Sequence, residues 1–223
     1  MNTPTNTPQT HPTSSASATA AMCLPPFYDT APSITVVDPL AEALGAADGG
    51  VIDYRYADAV KLAGHSCPTV AGAWLMIRAA LARLYADQLP RRGELQVELR
   101  QRQDEGVAGV IASIAQLVTG AAGEGGFKGL AGRFGRQGLL RFGVAMAGEM
   151  RFTRLDSGAS IMLAHHMQAV PRPPELMPRM QQAFAPGADA AARQAFAQTW
   201  QGWVRTILTE HADDPALIAI IDA

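Results

Sequence analysis

Cysteine is scarce in this chain: Cys23 and Cys67 are the only two in 223 residues. Two thiols cannot make a disulfide framework or supply a four-cysteine zinc ribbon. One bridge between them is possible in principle, but nothing in the pattern demands it. An excess of either charge is also missing. With 18 basic and 20 acidic residues the formal net charge is −2, which argues against a dedicated nucleic-acid binder. No apolar run approaches the roughly 20 residues a membrane helix requires. What remains is a globular composition, long enough for one generous domain or two small ones.

Charge is absent altogether from residues 1–21, and the first basic residue is Arg55. A stretch of Thr, Pro, Ser, Asn and Ala cannot bury enough apolar surface to offset its ordering entropy. A secretory signal needs a basic start and an apolar middle, and neither is there. The expectation is a disordered or extended tail over 1–33 on a cytoplasmic protein, with His11 a solvated residue. Within that tail, Cys23–Asp29 (CLPPFYD) reads as an arm packed on the domain or on a second copy of the chain.

The rest of the chain carries alternating helix and strand signals. Ile34–Val37 is a short β-branched run. Asp38-Pro39 opens a helix over 39–45, with Asp38 as N-cap and Pro39 at the first helical position. Residues 46–50 form a turn, and helical spacing of Tyr56, Ala59, Val60 and Ala63 predicts a helix from Asp53 to Leu62, stopped by Gly64. A long amphipathic helix over 68–87 follows, with Val70, Ala73, Trp74, Ile77, Leu81 and Leu84 on one stripe. Glu94–Arg100 alternates polar and apolar as a half-buried strand does, and 106–119 is a second amphipathic helix. Leu139–Met146 and Met150–Leu155 suggest an antiparallel hairpin, Ala159–Met167 a short helix, and 174–185 and 188–211 two more helices. Ala216–Asp222 reads as a segment packed on the surface.

Between these elements glycine recurs every third residue from Gly120 to Gly138. Collagen shares that period but needs abundant proline, and this stretch has none. The simpler reading is a long loop crossing close to other backbone. The functional one is a basic ligand loop, because Lys128, Arg133 and Arg136 are interleaved with the glycines. No phosphate-loop or dinucleotide fingerprint in a strand–turn–helix context is present.

The most informative stretch is His65-Ser66-Cys67-Pro68. Proline at the first helical position makes Cys67 the N-cap of the long helix. Unpaired N–H groups and the positive end of the helix dipole then lie beside its sulfur and favour the thiolate. His65 sits two residues away in a tight turn. An imidazole and a thiolate together suit zinc, copper or iron.

Here the sequence resembles a family. Tyr56–Leu81 (YADAVKLAGHSCPTVAGAWLMIRAAL) is similar to the opening of the FmdE-like family, named after a component of formylmethanofuran dehydrogenase. That family has a helix, a GHxCP motif and a long helix bearing a small residue near Gly72. The likeness continues through the strand, helix and Thr119-Gly120, and through the glycine-rich segment with Phe127-Lys128. It covers residues 53–155. The resemblance implies an α+β fold, a small antiparallel or mixed sheet packed with a long central helix, here with a helical C-terminal extension. It also implies a dimer and a metal site at the motif's His65 and Cys67. On this reading 34–170 is the metal-binding domain and 171–223 the extension. Some usual ligands are absent, since Ala63 and Ala121 stand where many members carry histidine and cysteine. The name of the family does not make this chain a methanogenesis enzyme.

Zinc wants four donors, or three and a water, and the motif supplies two. His165 and His166 are the other candidates, of which at most one faces a given site. His211 reads as a structural residue near a helix end. Met146, Met150, Met162, Met167, Met177 and Met180 cluster late in the chain, either as adaptable packing or as the wall of an apolar cofactor pocket. Three functions stay open. The first is a metal-binding protein with His65 and Cys67 as ligands and a zinc ion by default. An open ligand position would activate water, but no motif places a carboxylate as base, so no reaction is assigned. The second is a haem protein with Cys67 or His65 as axial ligand, because haem needs only one or two, and with Arg133, Arg136 and Arg141 toward the propionates. The third is a homodimeric interaction protein whose site is vestigial. None of the three calls for nucleic acid or a membrane.

Overall fold

The computed structural model describes residues 23–221. His11 and the uncharged opening stretch lie outside them. The described residues form an α+β fold of seven strands and six helices. Strands β1 (Ile34–Val37) and β2 (Val51–Tyr54) make an antiparallel pair, with Val36 opposite Ile52. Between them helix α1 (Pro39–Ala43) starts where expected, the Asp38 carboxylate accepting the N–H groups of Leu40 and Ala41.

The main sheet has five strands in the order β4-β3-β5-β6-β7. They are β3 (Leu95–Leu99), β4 (Leu140–Arg141), β5 (Met150–Arg154), β6 (Ser160–His165) and β7 (Ile218–Ile221). β3 pairs with β4 in parallel and with β5 antiparallel, and the remaining neighbours are antiparallel. Val97, Phe152, Leu95 and Leu163 from the inner strands are buried. On β3 the polar face is covered as well. Glu98 is buried opposite Arg151, whose Nε donates to it at 2.7 Å.

Helices α2 (Tyr56–Ala63), α3 (Pro68–Tyr85), α4 (Ala108–Thr119), α5 (Leu176–Ala183) and α6 (Ala190–Thr209) complete the fold. α3 is central. Every residue from Val70 to Ile77 is buried, so the predicted stripe is exceeded, because α2, α4, α6 and β6 all pack on it. Trp74 is fully enclosed, and its indole N–H donates to the Pro32 carbonyl at 2.8 Å, pinning the N-terminal arm. Tyr28 of that arm meets Tyr56 edge to face, and Tyr56 meets Trp74 in the same way. Such pairs add about 0.5–1.5 kcal/mol each beyond area burial.

Four expectations need correction. The helix predicted from Asp53 begins only at Tyr56, because Asp53 and Tyr54 pair with Thr35 and Ile34 in β2. Leu139–Met146 and Met150–Leu155 do not form a hairpin. Only Leu140 and Arg141 pair, and they pair in parallel with β3. Ala159–Met167 is not helical: its centre is strand β6, bonded on both sides, to β5 and to β7. A strand covered on both faces loses its period-2 signal and reads like a helix segment. The C-terminal segment is not merely laid on the surface but supplies β7 to the main sheet.

Candidate metal centre

α2 ends at Gly64, which adopts the left-handed conformation (φ 73°) and whose N–H caps Val60. Glycine reaches this region without strain and reverses the chain at once. Cys67 is extended (φ −151°, ψ 168°) and is the N-cap of α3, as expected. Its half-buried Sγ accepts the N–H of Val70 at 3.5 Å. His65 is exposed on the turn. Its Nδ1 lies 2.9 Å from the Ala63 carbonyl. A carbonyl only accepts, so that contact places the proton on Nδ1 and leaves the Nε2 lone pair free. Metal-binding histidines are oriented in this manner.

The turn is held by residues from distant parts of the chain. Ser66 is buried, its hydroxyl 3.0 Å from that of Tyr56. The Ser66 carbonyl accepts the indole N–H of Trp200 at 2.9 Å and the amide of Gln201 at 3.3 Å. Gln201 in turn accepts the hydroxyl of Tyr28 at 3.2 Å. Burial pushes the Tyr56 phenol far up, more than the Ser66 hydrogen bond lowers it, so it stays protonated. No local signal at residues 65–68 points to Trp200, Gln201 or Tyr28, since the partners are up to 135 positions away.

His165 lies on β6 with its ring against α3. A Cβ at Gly72 would stand 3.2 Å from His165 Cδ2 and 3.3 Å from the Met167 methyl. The small residue at 72 therefore has a physical reason: it makes room for this imidazole. His165 Nδ1 sits 2.5 Å from Glu149 Oε2, and its backbone N–H donates to the same oxygen at 3.1 Å. Burial would raise the Glu149 carboxyl, but the hydrogen bond and charge of His165 outweigh it and hold the group below its ordinary range. His166 is exposed, one position past the end of β6. His211 pairs with Asp214 at 2.8 Å just beyond α6. Of the clustered methionines, Met150 and Met162 are buried core residues.

The sequence-predicted ligands thus reduce to the motif pair. Among the described residues no three His, Cys, Asp or Glu side chains gather closely enough to hold a metal ion. An imidazole with a free Nε2 and a cysteine sulfur at a helix N-terminus fit a soft divalent ion in kind, but two donors do not close a structural zinc site. Neither His65 nor Cys67 lines any of the five cavities described. The three arginines proposed for propionates are dispersed in their bonding. Arg136 joins Asp38, Arg133 lies over the Phe134 ring at 4.8 Å, and Arg141 Nε donates to the Gly138 carbonyl. Among the described residues no helix is long and apolar enough to cross a membrane. The chain matches no model of a known protein family, and no curated protein is similar to it.

Proposed function

We propose that the chain is a metal-binding protein with an open centre at His65 and Cys67, zinc being the default ion. The observation that carries this reading is the His65 Nδ1 contact with Ala63. It presents a free Nε2 two residues from a sulfur that caps α3. The resemblance of residues 53–155 to the FmdE-like family supports it from the sequence side. Among the described residues the motif supplies only two donors, so the remaining positions are filled by water or by a second copy in a homodimer. The bound ion would supply Lewis acidity at an exposed turn.

Elemental analysis and a visible spectrum of the purified full chain test this reading. Stoichiometric zinc without colour, lost in both His65→Ala and Cys67→Ala, is the expected outcome. A Soret band replaces zinc by haem. Failure to retain any metal after reconstitution leaves a dimeric interaction protein with a vestigial site.

A further inference from the structure

Asp38 is held between two guanidinium groups. Arg92 Nη1 reaches its Oδ2 at 2.8 Å, and Arg136 Nη2 reaches its Oδ1 at 2.7 Å. The same carboxylate also caps α1. One negative charge therefore faces two positive ones. Arg92 places its other donors on the Leu117 carbonyl. Arg136 does not: it is only 6% exposed, and its Nε is buried with no hydrogen-bond partner. A buried guanidinium N–H left unpaired is costly unless something accepts it.

Gly93 packs against that Nε, beside a cavity. A Cβ at Gly93 would lie 2.9 Å from the Nε, and Gly93 lines the cavity, of about 150 Å³, together with Arg91, Arg92, Glu94, Arg133 and Arg136. Arg91 is neutralised by Glu94, with contacts of 2.6 and 2.9 Å. Arg92 and Arg136 share Asp38. Arg133 has no ion-pair partner among the described residues, and its guanidinium rests on the Phe134 ring. Counting the cavity's charged lining with Asp38, four cations face two anions, which leaves two positive charges uncompensated. Phe134 reaches its position with a left-handed backbone (φ 63°), a strained conformation for an aromatic residue. The glycine-rich segment is thus folded so that two of its three basic residues converge on one small space.

We propose that this cavity is a phosphate-binding site, taking inorganic phosphate or the phosphate group of a monoester, with Arg133 as its principal donor and Arg136 as part of its positive wall. A dianionic oxyanion matches both the volume and the excess charge, and guanidinium forks suit its oxygens. Arg92 and Asp38 position Arg136 rather than bind the ligand.

Calorimetric titration of the full chain at low salt with inorganic phosphate, and separately with phenyl phosphate, tests the proposal; benzoate serves as a singly charged comparison. Saturable one-to-one binding of at least one phosphate is expected, weakening as salt is added. Tight phenyl phosphate with weak inorganic phosphate points to a monoester, and the reverse points to the free ion. Arg133→Gln, at an exposed position, should lower affinity roughly tenfold or more while the melting temperature holds. Arg136→Gln should weaken binding by removing one positive charge from the wall, but its ion pair also supports the fold, so Arg133→Gln is the deciding variant. No saturable binding of either phosphate, benzoate bound as tightly as both, or unchanged affinity in Arg133→Gln would overturn it.

Discussion

The two ends of α3 are built on opposite plans. At its start, His65 and Cys67 come from one contiguous turn, one side chain exposed and the other half-buried. Past its end, Asp38, Arg92 and Arg136 come from three separate segments and meet in a buried, hard-charged cluster. The helix has 18 residues, or about 27 Å at 1.5 Å per residue. A contiguous turn can be exposed because the backbone alone positions its donors. A cluster drawn from distant segments must be buried, since only packing brings it together. The first should therefore matter for metal binding and little for stability, and the second should matter foremost for stability.

The sharpest way to break that contrast is Asp38→Ala. It leaves two guanidinium groups close together without their shared carboxylate, and removal of one member of a buried ion pair costs about 3–5 kcal/mol. Urea unfolding measures it, and a loss below about 1 kcal/mol would mean that the cluster is not a structural tie.

pH offers the same comparison without mutating the protein. Burial tends to raise the Asp38 carboxyl, but hydrogen bonds from Arg136 and Arg92 prevail and hold it below its ordinary value. A depressed folded value means that the contribution is complete above the unfolded value of about 3.9. It is then lost as pH falls through the lower folded value. Melting curves from pH 7 to pH 2 should therefore converge for the native chain and Asp38→Asn only below about pH 4.

A smaller effect is expected at Gly120 (φ 71°), where an added Cβ would collide with Arg136 Nη1. Gly120→Ala should cost about 1–3 kcal/mol through left-handed strain and displacement of that guanidinium. The motif end should give the least. Cys67→Ala removes one weak sulfur cap at 3.5 Å, about 0.5 kcal/mol, while abolishing metal retention. His65→Ala, at an exposed turn, should stay within about 0.5 kcal/mol and also release the metal. Losses of several kcal/mol in either variant would show that the turn is a structural keystone instead.

Much of the architecture was legible in local chemistry. Asp38-Pro39 and Cys67-Pro68 each announced a helix start, because a side-chain acceptor followed by proline satisfies the first turn in any context. The alternation of Leu95, Val97 and Leu99 marked β3. Legibility failed where partners replaced period. Ile161, Met162, Leu163 and Ala164 are all buried in β6, so they carry no alternation. Leu139–Met146 holds enough apolar residues for a strand, yet only two of its residues pair as one. For the site, the motif pair was readable and its supports were not. Tyr56, Trp200 and Gln201 act through hydrogen bonds whose other ends lie in different elements.

By itself, the sequence determined what a few adjacent residues determine: the caps, the left-handed stop at Gly64, the helix of Val70–Ile77 and a thiol beside an imidazole. It also held the even charge balance and the scarcity of cysteine that rules out a self-contained zinc ribbon. Tertiary structure alone decided that α3 is enclosed on nearly every side, that Gly72 admits His165, and that Asp38 serves two arginines as well as its helix. The division has one physical cause. Backbone hydrogen bonding and capping are satisfied within a few residues, whereas burial and charge pairing are set by neighbours that the chain brings together only on folding.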